Sequence, residues 1–223
     1  GEGNGDTHGH GTHCAGTIFG QDVNGTRIGI ARNVKKALIG KVLGDQGGGG
    51  SDAILKAINW AVEEGANVIS MSLGIDFPGF VDYLINEQNV PADLATTMAL
   101  EGYRQNVLLF ERLASVVKAQ EPFGQTTIII AAAGNESRRS ENADFEIACS
   151  PPAVSEGLIS VAALGLQGSK FRVAPFSNTN VLVSGPGVGV LSARHTGGLV
   201  AMSGTSMATP HVAGVAALWM QRL

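Results

Sequence analysis

The sequence predicts an α/β fold in which a parallel central sheet carries helices on both faces. Short apolar runs without alternation occur along the chain, as in strands that are buried on both faces. Segments with apolar residues at helical spacing separate these runs, and such an alternation of strand and helix is typical of a parallel sheet. With 223 residues, 44% of them hydrophobic, the chain can bury such a core within one domain.

The apolar runs predict the strands in chain order. They are ALIGKVL at Ala37–Leu43, VISMSL at Val68–Leu73, TTIIIAA at Thr127–Ala133 and LISVAA at Leu158–Ala163. Ligands of parallel sheets bind beyond the carboxyl ends of the strands. The loops after the first three runs, each of which reaches a glycine at once, are therefore the candidate sites.

Helical spacing predicts the helices between these strands. Ser51 is a candidate N-cap for a helix that ends near Gly65. A long helix is expected over about Ala92–Gln120. The segment 75–125 is otherwise less patterned, and we interpret it as an elaboration between two core strands.

Composition excludes several classes of function. The net charge is -4 and the basic residues are scattered, so we expect no nucleic-acid partner. The longest apolar stretches, such as Ile128–Ala133, are far shorter than the roughly 20 residues of a membrane span, so no membrane partner is expected either. Cys14 and Cys149 lack the spacing of zinc ligands, and whether they form a disulfide is left open.

Three polar segments carry the residues needed for nucleophilic catalysis. GHGTHCAGT at Gly9–Thr17 contains an imidazole, AAAGNE at Ala131–Glu136 closes a buried strand, and SGTSMATPHVAG at Ser203–Gly214 contains a hydroxyl. Acyl transfer requires a hydroxyl nucleophile, an imidazole that takes its proton, and donors aimed at the developing oxyanion. Each segment alone is unspecific, but their joint occurrence in this order is highly specific.

These segments resemble the histidine, oxyanion and serine motifs of the subtilisin family, with a spelling closest to its proteinase K branch. The resemblance covers nearly the whole chain and weakens only over about 75–125. It implies that His10 is the general base, Ser206 the nucleophile and Asn135 a donor to the oxyanion. It also places His10 in the first turn of a helix over His10–Phe19, and Ser206 at the start of another helix, where free backbone N–H groups favour negative charge.

The resemblance further implies how a substrate is bound. An extended polypeptide would add itself as a strand between two segments, and a primary specificity pocket would favour large apolar or aromatic side chains. The residues expected to flank the peptide are Gly47, Gly48 and Gly49 on one side and Ser72, Leu73 and Gly74 on the other. The residues expected to line the pocket are Ala132, Gly134 and Glu136, with Cys149 near its base. The Ser150–Pro151 bond beside that base is expected to be cis.

The aspartate of the family's catalytic triad is the main departure. In the family it ends an early strand that precedes the histidine motif, whereas here Gly1 stands only nine residues before His10. Asp6 is not a substitute, because it matches a loop residue of the histidine motif. We therefore expect residues 1–223 to be a subtilisin-like catalytic domain that is incomplete at both ends and lacks its first strand, which an N-terminal segment outside it or a partner chain would supply.

The predicted function is a serine endopeptidase that hydrolyses peptide bonds through an acyl-enzyme, impaired for lack of the aspartate. The alternative is a non-catalytic module that binds extended peptides on the same fold. A propeptide-like inhibitor is a further candidate partner, and family habit favours secretion.

No cofactor and no metal site are expected. His8, His10 and His13 are two and three residues apart, without the glutamate of the helical zinc pattern His-Glu-x-x-His. The segment Gln21–Arg27 stands where some relatives have a calcium loop, which leaves a structural calcium ion open.

Overall fold

A computed structural model describes residues 3–222 of the chain. The helices are α1 (His10–Phe19), α2 (Ser51–Glu63), α3 (Phe77–Asn86), α4 (Ala92–Lys118) and α5 (Thr205–Arg222), with a short 3-10 turn over Glu121–Phe123. The strands are β1 (Val68–Met71), β2 (Ile128–Ala132), β3 (Ile159–Gln167), β4 (Lys170–Val173), β5 (Val183–Pro186), β6 (Val190–Ala193) and β7 (Leu199–Met202).

The main sheet is built around strands that run parallel. β1 pairs with β2, β2 with β3, and β3 with β5, all in parallel, with Val68 opposite Ile128 and Ile130 opposite Ile159. β4 returns antiparallel to β3, and β6 and β7 form a separate hairpin. The carboxyl ends of β1 and β2 therefore meet at one edge, as the sequence predicts for a ligand site.

Helices cover both faces of this sheet. On one face, α2 and α4 pack against Ile129 and Ala131 of β2, and Phe110 of α4 is almost fully buried there. On the other face, α1 and α5 pack against Ile130 and the residues of β3 around Val161. The continuous apolar runs follow from this arrangement, because successive side chains of one strand enter two different cores.

The segment 37–43 forms no strand in the structure, so the prediction of a strand there was wrong. A strand requires a neighbour that bonds its backbone, and β1 pairs only with β2 within the described residues. Val42 packs against the core beneath α2, while Ile39 remains 69% exposed. The apolar pattern of the segment therefore reflects partial burial without sheet pairing.

The elaboration over about 75–125 is a pair of packed helices, α3 and α4. The Asp76 carboxylate accepts a hydrogen bond from the Gly79 N–H at 2.8 Å and so caps the start of α3. Small residues on α4, Ala95 and Ala99, are fully buried, as is Leu84 of α3. No helix within residues 3–222 combines the length and hydropathy that crossing a membrane requires.

Candidate active site

The histidine, oxyanion and serine segments lie side by side at one end of the molecule. α1 packs along α5, and the Cys14 thiol contacts the backbone carbonyl of Ser206 at 3.4 Å. His10 lies four residues before Cys14, hence on the same face of α1, one turn towards its N-terminus. The Thr205 N–H donates to the side-chain oxygen of Asn135 at 2.8 Å. The fold therefore brings together segments that are almost 200 residues apart in sequence.

Ser206 is the second residue of α5 and is linked to Ser72 by two hydrogen bonds. The Ser72 hydroxyl donates to the Ser206 carbonyl at 2.8 Å, and the Ser206 hydroxyl donates to the Ser72 carbonyl at 3.4 Å. The Ser206 carbonyl is available for this contact because residue 210, its partner in a regular helix, is a proline without an N–H. Pro210 and Ser72 together tie the start of α5 to the segment that follows β1.

The side chain of Asn135 is oriented by the first residue of α5. Its side-chain oxygen accepts hydrogen bonds from the Thr205 N–H and, at 3.0 Å, from the Thr205 hydroxyl, which identifies that atom as the oxygen. Neither the amide nitrogen of Asn135 nor the backbone N–H of Ser206 has a hydrogen-bond partner among residues 3–222. These two groups are free donors beside the Ser206 hydroxyl, at the positive end of a helix of 18 residues.

The imidazole of His10 is half-buried and forms no hydrogen bond within the described part of the chain. Burial is the main cause that lowers the pKa of His10 below its usual value, and the neighbouring His8 lowers it further. The ring is therefore neutral at pH 7 and able to accept a proton. No hydrogen bond joins it to the Ser206 hydroxyl, which faces Ser72 instead.

Asp6 caps α1 and does not bond to the imidazole. Its carboxylate accepts hydrogen bonds from the Gly9 N–H at 2.7 Å, the Thr12 N–H at 2.6 Å and the Thr12 hydroxyl at 2.7 Å. Burial acts to raise the pKa of Asp6, but these hydrogen bonds outweigh it and lower the pKa to about 2. Gly9 adopts φ 89°, and a Cβ there would lie 2.5 Å from the His195 ring, so the turn into α1 requires glycine.

The segments predicted to line the specificity pocket are joined by backbone hydrogen bonds. The Ile75 N–H donates to the Pro151 carbonyl and the Ser150 N–H to the Ala133 carbonyl, both at 2.9 Å. A Cβ on Gly74 would lie 3.7 Å from the Pro151 oxygen and 3.9 Å from the Ala132 oxygen. The residues after β1, those after β2 and the segment 149–151 therefore form one continuous wall next to Asn135.

Asn178 holds this wall together and was not foreseen from the sequence. Its side chain is fully buried, and its oxygen accepts hydrogen bonds from the N–H groups of Glu136 and Ser137, both at 3.1 Å. Its nitrogen donates to the Ala133 carbonyl at 3.1 Å and to the Glu136 carboxylate at 2.6 Å. An asparagine in the polar stretch FSNTN resembles a loop residue, and no local signal distinguishes it from its neighbours.

Gly134 and Glu136 are packed against this asparagine. Gly134 adopts φ 107°, and a Cβ there would collide with the Asn178 amide and the Glu136 carboxylate. The half-buried Glu136 carboxylate is thus turned inwards as the hydrogen-bond acceptor of Asn178. Gly134 enables the close approach of Asn178, which holds the Glu136 carboxylate in place.

Gly47, Gly48 and Gly49 lie in an exposed turn before α2. The Gly44 N–H donates to the Gly48 carbonyl at 2.8 Å, and no hydrogen bond of the described residues links the three glycines to the segment after β1. Ser51 is the first residue of α2 rather than its N-cap, and its hydroxyl bonds to the Asn106 side chain at 2.7 Å. The glycine turn is therefore open to solvent on the side where a peptide would have to pair.

The structure also decides the position of the cis peptide bond and the state of the two cysteines. The cis peptide bond lies at Pro151–Pro152, one residue later than the Ser150–Pro151 bond that was expected, so that prediction was wrong. Cys14 and Cys149 are both free thiols. Burial raises the pKa of Cys14 to about 11 and that of Cys149 to about 12, so both are protonated at neutral pH.

The loop Gln21–Arg27 contains two cationic contacts at or near the positions where a calcium ion would need oxygen ligands. The Arg27 guanidinium donates to two backbone carbonyl groups just beyond the loop, at 3.1 and 3.2 Å. The Asp22 carboxylate is paired with Arg32 at 2.8 Å. Calcium takes six to eight oxygen ligands, and the one acidic side chain of the loop, Asp22, is already paired with a cation. Among residues 3–222 no group of three or more His, Cys, Asp and Glu could hold a metal ion.

Comparisons with known proteins agree with this geometry. The family model described as Subtilase family matches residues 1–223. An intracellular serine protease of Paenibacillus polymyxa is 34% identical over 218 residues, which are 97% of this chain and 55% of that protein. Subtilisin DY of Bacillus licheniformis is 32% identical over 222 residues, 98% of this chain and 66% of that protein.

The comparison with solved structures also finds a subtilisin-like proteinase. The crystal structure of a cold adapted subtilisin-like serine proteinase matches with a TM-score of 0.63 and 29% identity, over 98% of this chain and 63% of that one. Both in sequence and in structure, the chain thus spans between about half and two thirds of the proteins to which it is similar.

Proposed function

Because the chain belongs to the subtilase family, we propose that it is the catalytic part of a serine endopeptidase that hydrolyses peptide bonds through an acyl-enzyme. The observation that carries the proposal is the pair of unused donors beside Ser206, its own N–H and the oriented amide of Asn135. Such donors stabilise an oxyanion that develops when a hydroxyl attacks a carbonyl. If the start of α5 served packing alone, an asparagine amide fixed next to the Ser206 N–H would have no structural role.

The steps follow from the same residues. His10 takes the proton of the Ser206 hydroxyl as that oxygen attacks the carbonyl of an extended peptide, and the negative charge that develops on the carbonyl oxygen is received by the two free donors. His10 then gives the proton to the leaving amine, and water completes the hydrolysis of the acyl-enzyme by the reverse route. The hydroxyl must first leave the Ser72 carbonyl, a contact that at 3.4 Å is long for an O–H donor.

The turnover of the 223-residue chain is expected to be low. Within the described residues no acceptor orients the second ring nitrogen of His10, and Asp6 is fully used in capping α1. A triad that loses its carboxylate loses roughly four orders of magnitude in turnover. The same observation favours the second candidate, a module that binds extended peptides without cutting them.

A fluorophosphonate probe separates the two candidates. We expect it to label the wild type and not Ser206→Ala, whereas Ser203→Ala, a serine in the same motif that bonds to the Gly189 N–H, should be labelled normally. The labelling rate should rise with pH through a midpoint below 6.5, because burial lowers the pKa of His10. Peptide binding without any labelling of Ser206 would instead identify the binding module.

Partners and compartment remain predictions of the same proposal. The substrate is an extended polypeptide, with large apolar or aromatic side chains favoured in the pocket. A propeptide-like inhibitor, or the segment that would supply the aspartate, would occupy the same end of the molecule. Secretion is the expectation from family habit, although one similar protein is named an intracellular serine protease.

A further inference from the structure

Helix α4 reaches the base of the specificity pocket through Tyr103. The phenol donates a hydrogen bond to the backbone carbonyl of Cys149 at 3.1 Å. Cys149 is fully buried, and its carbonyl receives no other hydrogen bond within residues 3–222. Its N–H is already bonded to the Thr179 carbonyl at 2.8 Å. The backbone at Cys149 is thus held by two backbone contacts, since the Ser150 N–H donates to the Ala133 carbonyl, and by one side chain from the elaboration.

The ring of Tyr103 also contacts the segment that follows β1. It packs edge-on against Phe77, with ring centroids 5.6 Å apart and an interplanar angle of 79°. Phe77 is the first residue of α3 and lies three positions after Gly74, one of the residues expected to pair with a substrate. A single side chain therefore touches both the segment after β1 and the segment 149–151.

α4 is held firmly enough to act as a support. Asn106, three residues after Tyr103, bonds to the Ser51 hydroxyl at 2.7 Å, and the Val107 carbonyl accepts a hydrogen bond from Ser155 at 3.2 Å. The following turns of the helix bury Phe110 in the core. Because these contacts fix the turns of α4 that follow Tyr103, the phenol cannot follow a displaced Cys149 without moving α4.

We propose that Tyr103 is a positioning residue for the primary specificity pocket. Its hydroxyl fixes the Cys149 carbonyl at the base, and its ring fixes the distance to the Phe77 segment, so that the pocket accepts a large apolar or aromatic side chain on the acyl side of the cleaved bond. The elaboration over about 75–125 is then part of substrate selection. This inference rests on the proposed function, because it concerns the pocket of that same site.

The experiment compares two substrate-like probes that differ only in the side chain that enters the pocket. Peptidyl phosphonates ending in phenylalanine or alanine are reacted with the wild type, with Tyr103→Phe and with Tyr83→Phe. Tyr83 is the other tyrosine of the chain, is exposed, and bonds only to Gln88 at 2.9 Å, so it is the matched control. A small fluorophosphonate without a peptide reports on Ser206 itself.

Tyr103→Phe should lower the ratio of the phenylalanine to the alanine rate by about fivefold, the effect of losing one hydrogen bond. The rate with the small fluorophosphonate, and both rates in Tyr83→Phe, should be unchanged. A ratio within twofold of the wild type, or an equal fall of all three rates, would overturn the proposal, because a general loss of stability does not discriminate between side chains.

A second measurement separates this proposal from the proposed function. If no probe labels the wild type, the proposed chemistry fails, and binding to Ser206→Ala of peptides with phenylalanine or alanine at the carboxyl end decides the present inference. A preference for phenylalanine that falls when Tyr103→Phe is added supports the role of Tyr103. An unchanged preference, or no peptide binding at all, refutes it.

Discussion

Replacing Asn178 by aspartate would place two carboxylates against each other beneath Asn135. The Asn178 nitrogen donates to the Glu136 carboxylate at 2.6 Å, while its oxygen accepts the N–H groups of Glu136 and Ser137. Aspartate has nearly the same volume and keeps the acceptor, so Asn178→Asp replaces the amide donor, which serves Glu136 and the Ala133 carbonyl, with a charged oxygen. Because both carboxylates are held in place by the fully buried position of residue 178, they cannot easily separate.

The structure allows the size of the effect to be worked out. A hydrogen bond to a charged group contributes about 1.5–3 kcal/mol, and repulsion between the carboxylates adds to its loss. Glu136 is only half-buried, so water screens part of that repulsion. We expect Asn178→Asp to lower the free energy of unfolding by about 3 kcal/mol at pH 7. In a Glu136→Gln background the new amide can donate to the new carboxylate, and the cost should fall to about 1 kcal/mol.

Urea unfolding, followed by the fluorescence of Trp60 and Trp219, measures these differences as a double-mutant cycle. Two carboxylates in contact raise the pKa of one of them, so the deficit of Asn178→Asp should shrink between pH 7 and about pH 5 as that group takes up a proton. Asn180→Asp, two residues later and exposed, is the matched control and should change stability by less than about 0.5 kcal/mol. If Asn178→Asp lowers the free energy of unfolding equally with and without Glu136→Gln, the loss does not come from the contact between two carboxylates, and the prediction is wrong.

Two further substitutions test how the ends of α1 and α5 are held. Because the hydrogen bonds to Asp6 lower its pKa to about 2 from the usual 3.8, Asp6→Asn should cost stability at all pH values above about 4. That difference in melting temperature, followed by circular dichroism, should shrink as the pH falls from 4 and be lost below about 2, and a difference that stays constant from pH 4 to pH 2 would contradict it. Ser72→Ala should lower the free energy of unfolding by about 1 kcal/mol in the presence of Pro210, because the Ser206 carbonyl loses its hydroxyl donor and keeps only the weaker thiol of Cys14. In a Pro210→Ala background the loss in the free energy of unfolding should be close to zero, because the new N–H at position 210 donates to the Ser206 carbonyl instead. If urea unfolding gives the same loss for Ser72→Ala in both backgrounds, the two donors do not share this acceptor.

Local patterns were sufficient for the elements that depend on local properties. The helix over His10–Phe19 has the expected bounds, and α4 ends at Lys118, two residues before the expected end. The apolar runs at 68–73, 127–133 and 158–163 each contain the start of a strand. These elements could be predicted because helical spacing and uninterrupted apolar runs directly encode which side chains are buried.

The segment 37–43 has the same apolar pattern and forms no strand. A strand exists only if a neighbouring strand bonds its backbone, and β1 has no such neighbour on its outer edge within the part of the chain that the structure describes. The pattern of a single segment carries no information about the availability of a partner. The prediction was therefore wrong about the strand, because no partner strand is present within residues 3–222, although the partial burial of Val42 agrees with the apolar pattern.

The sequence by itself determined the order of the helix and strand core and the three segments that carry the imidazole, the amide and the hydroxyl. Only the tertiary structure decided which groups support them: Asn178 beneath Asn135, Ser72 against Ser206, and Tyr103 against Cys149. Each of these contacts joins residues at least 40 positions apart, and each supporting residue belongs to a type that is common in loops or on helix surfaces. Contacts of this kind arise from the packing of distant elements, which no local pattern of residues records.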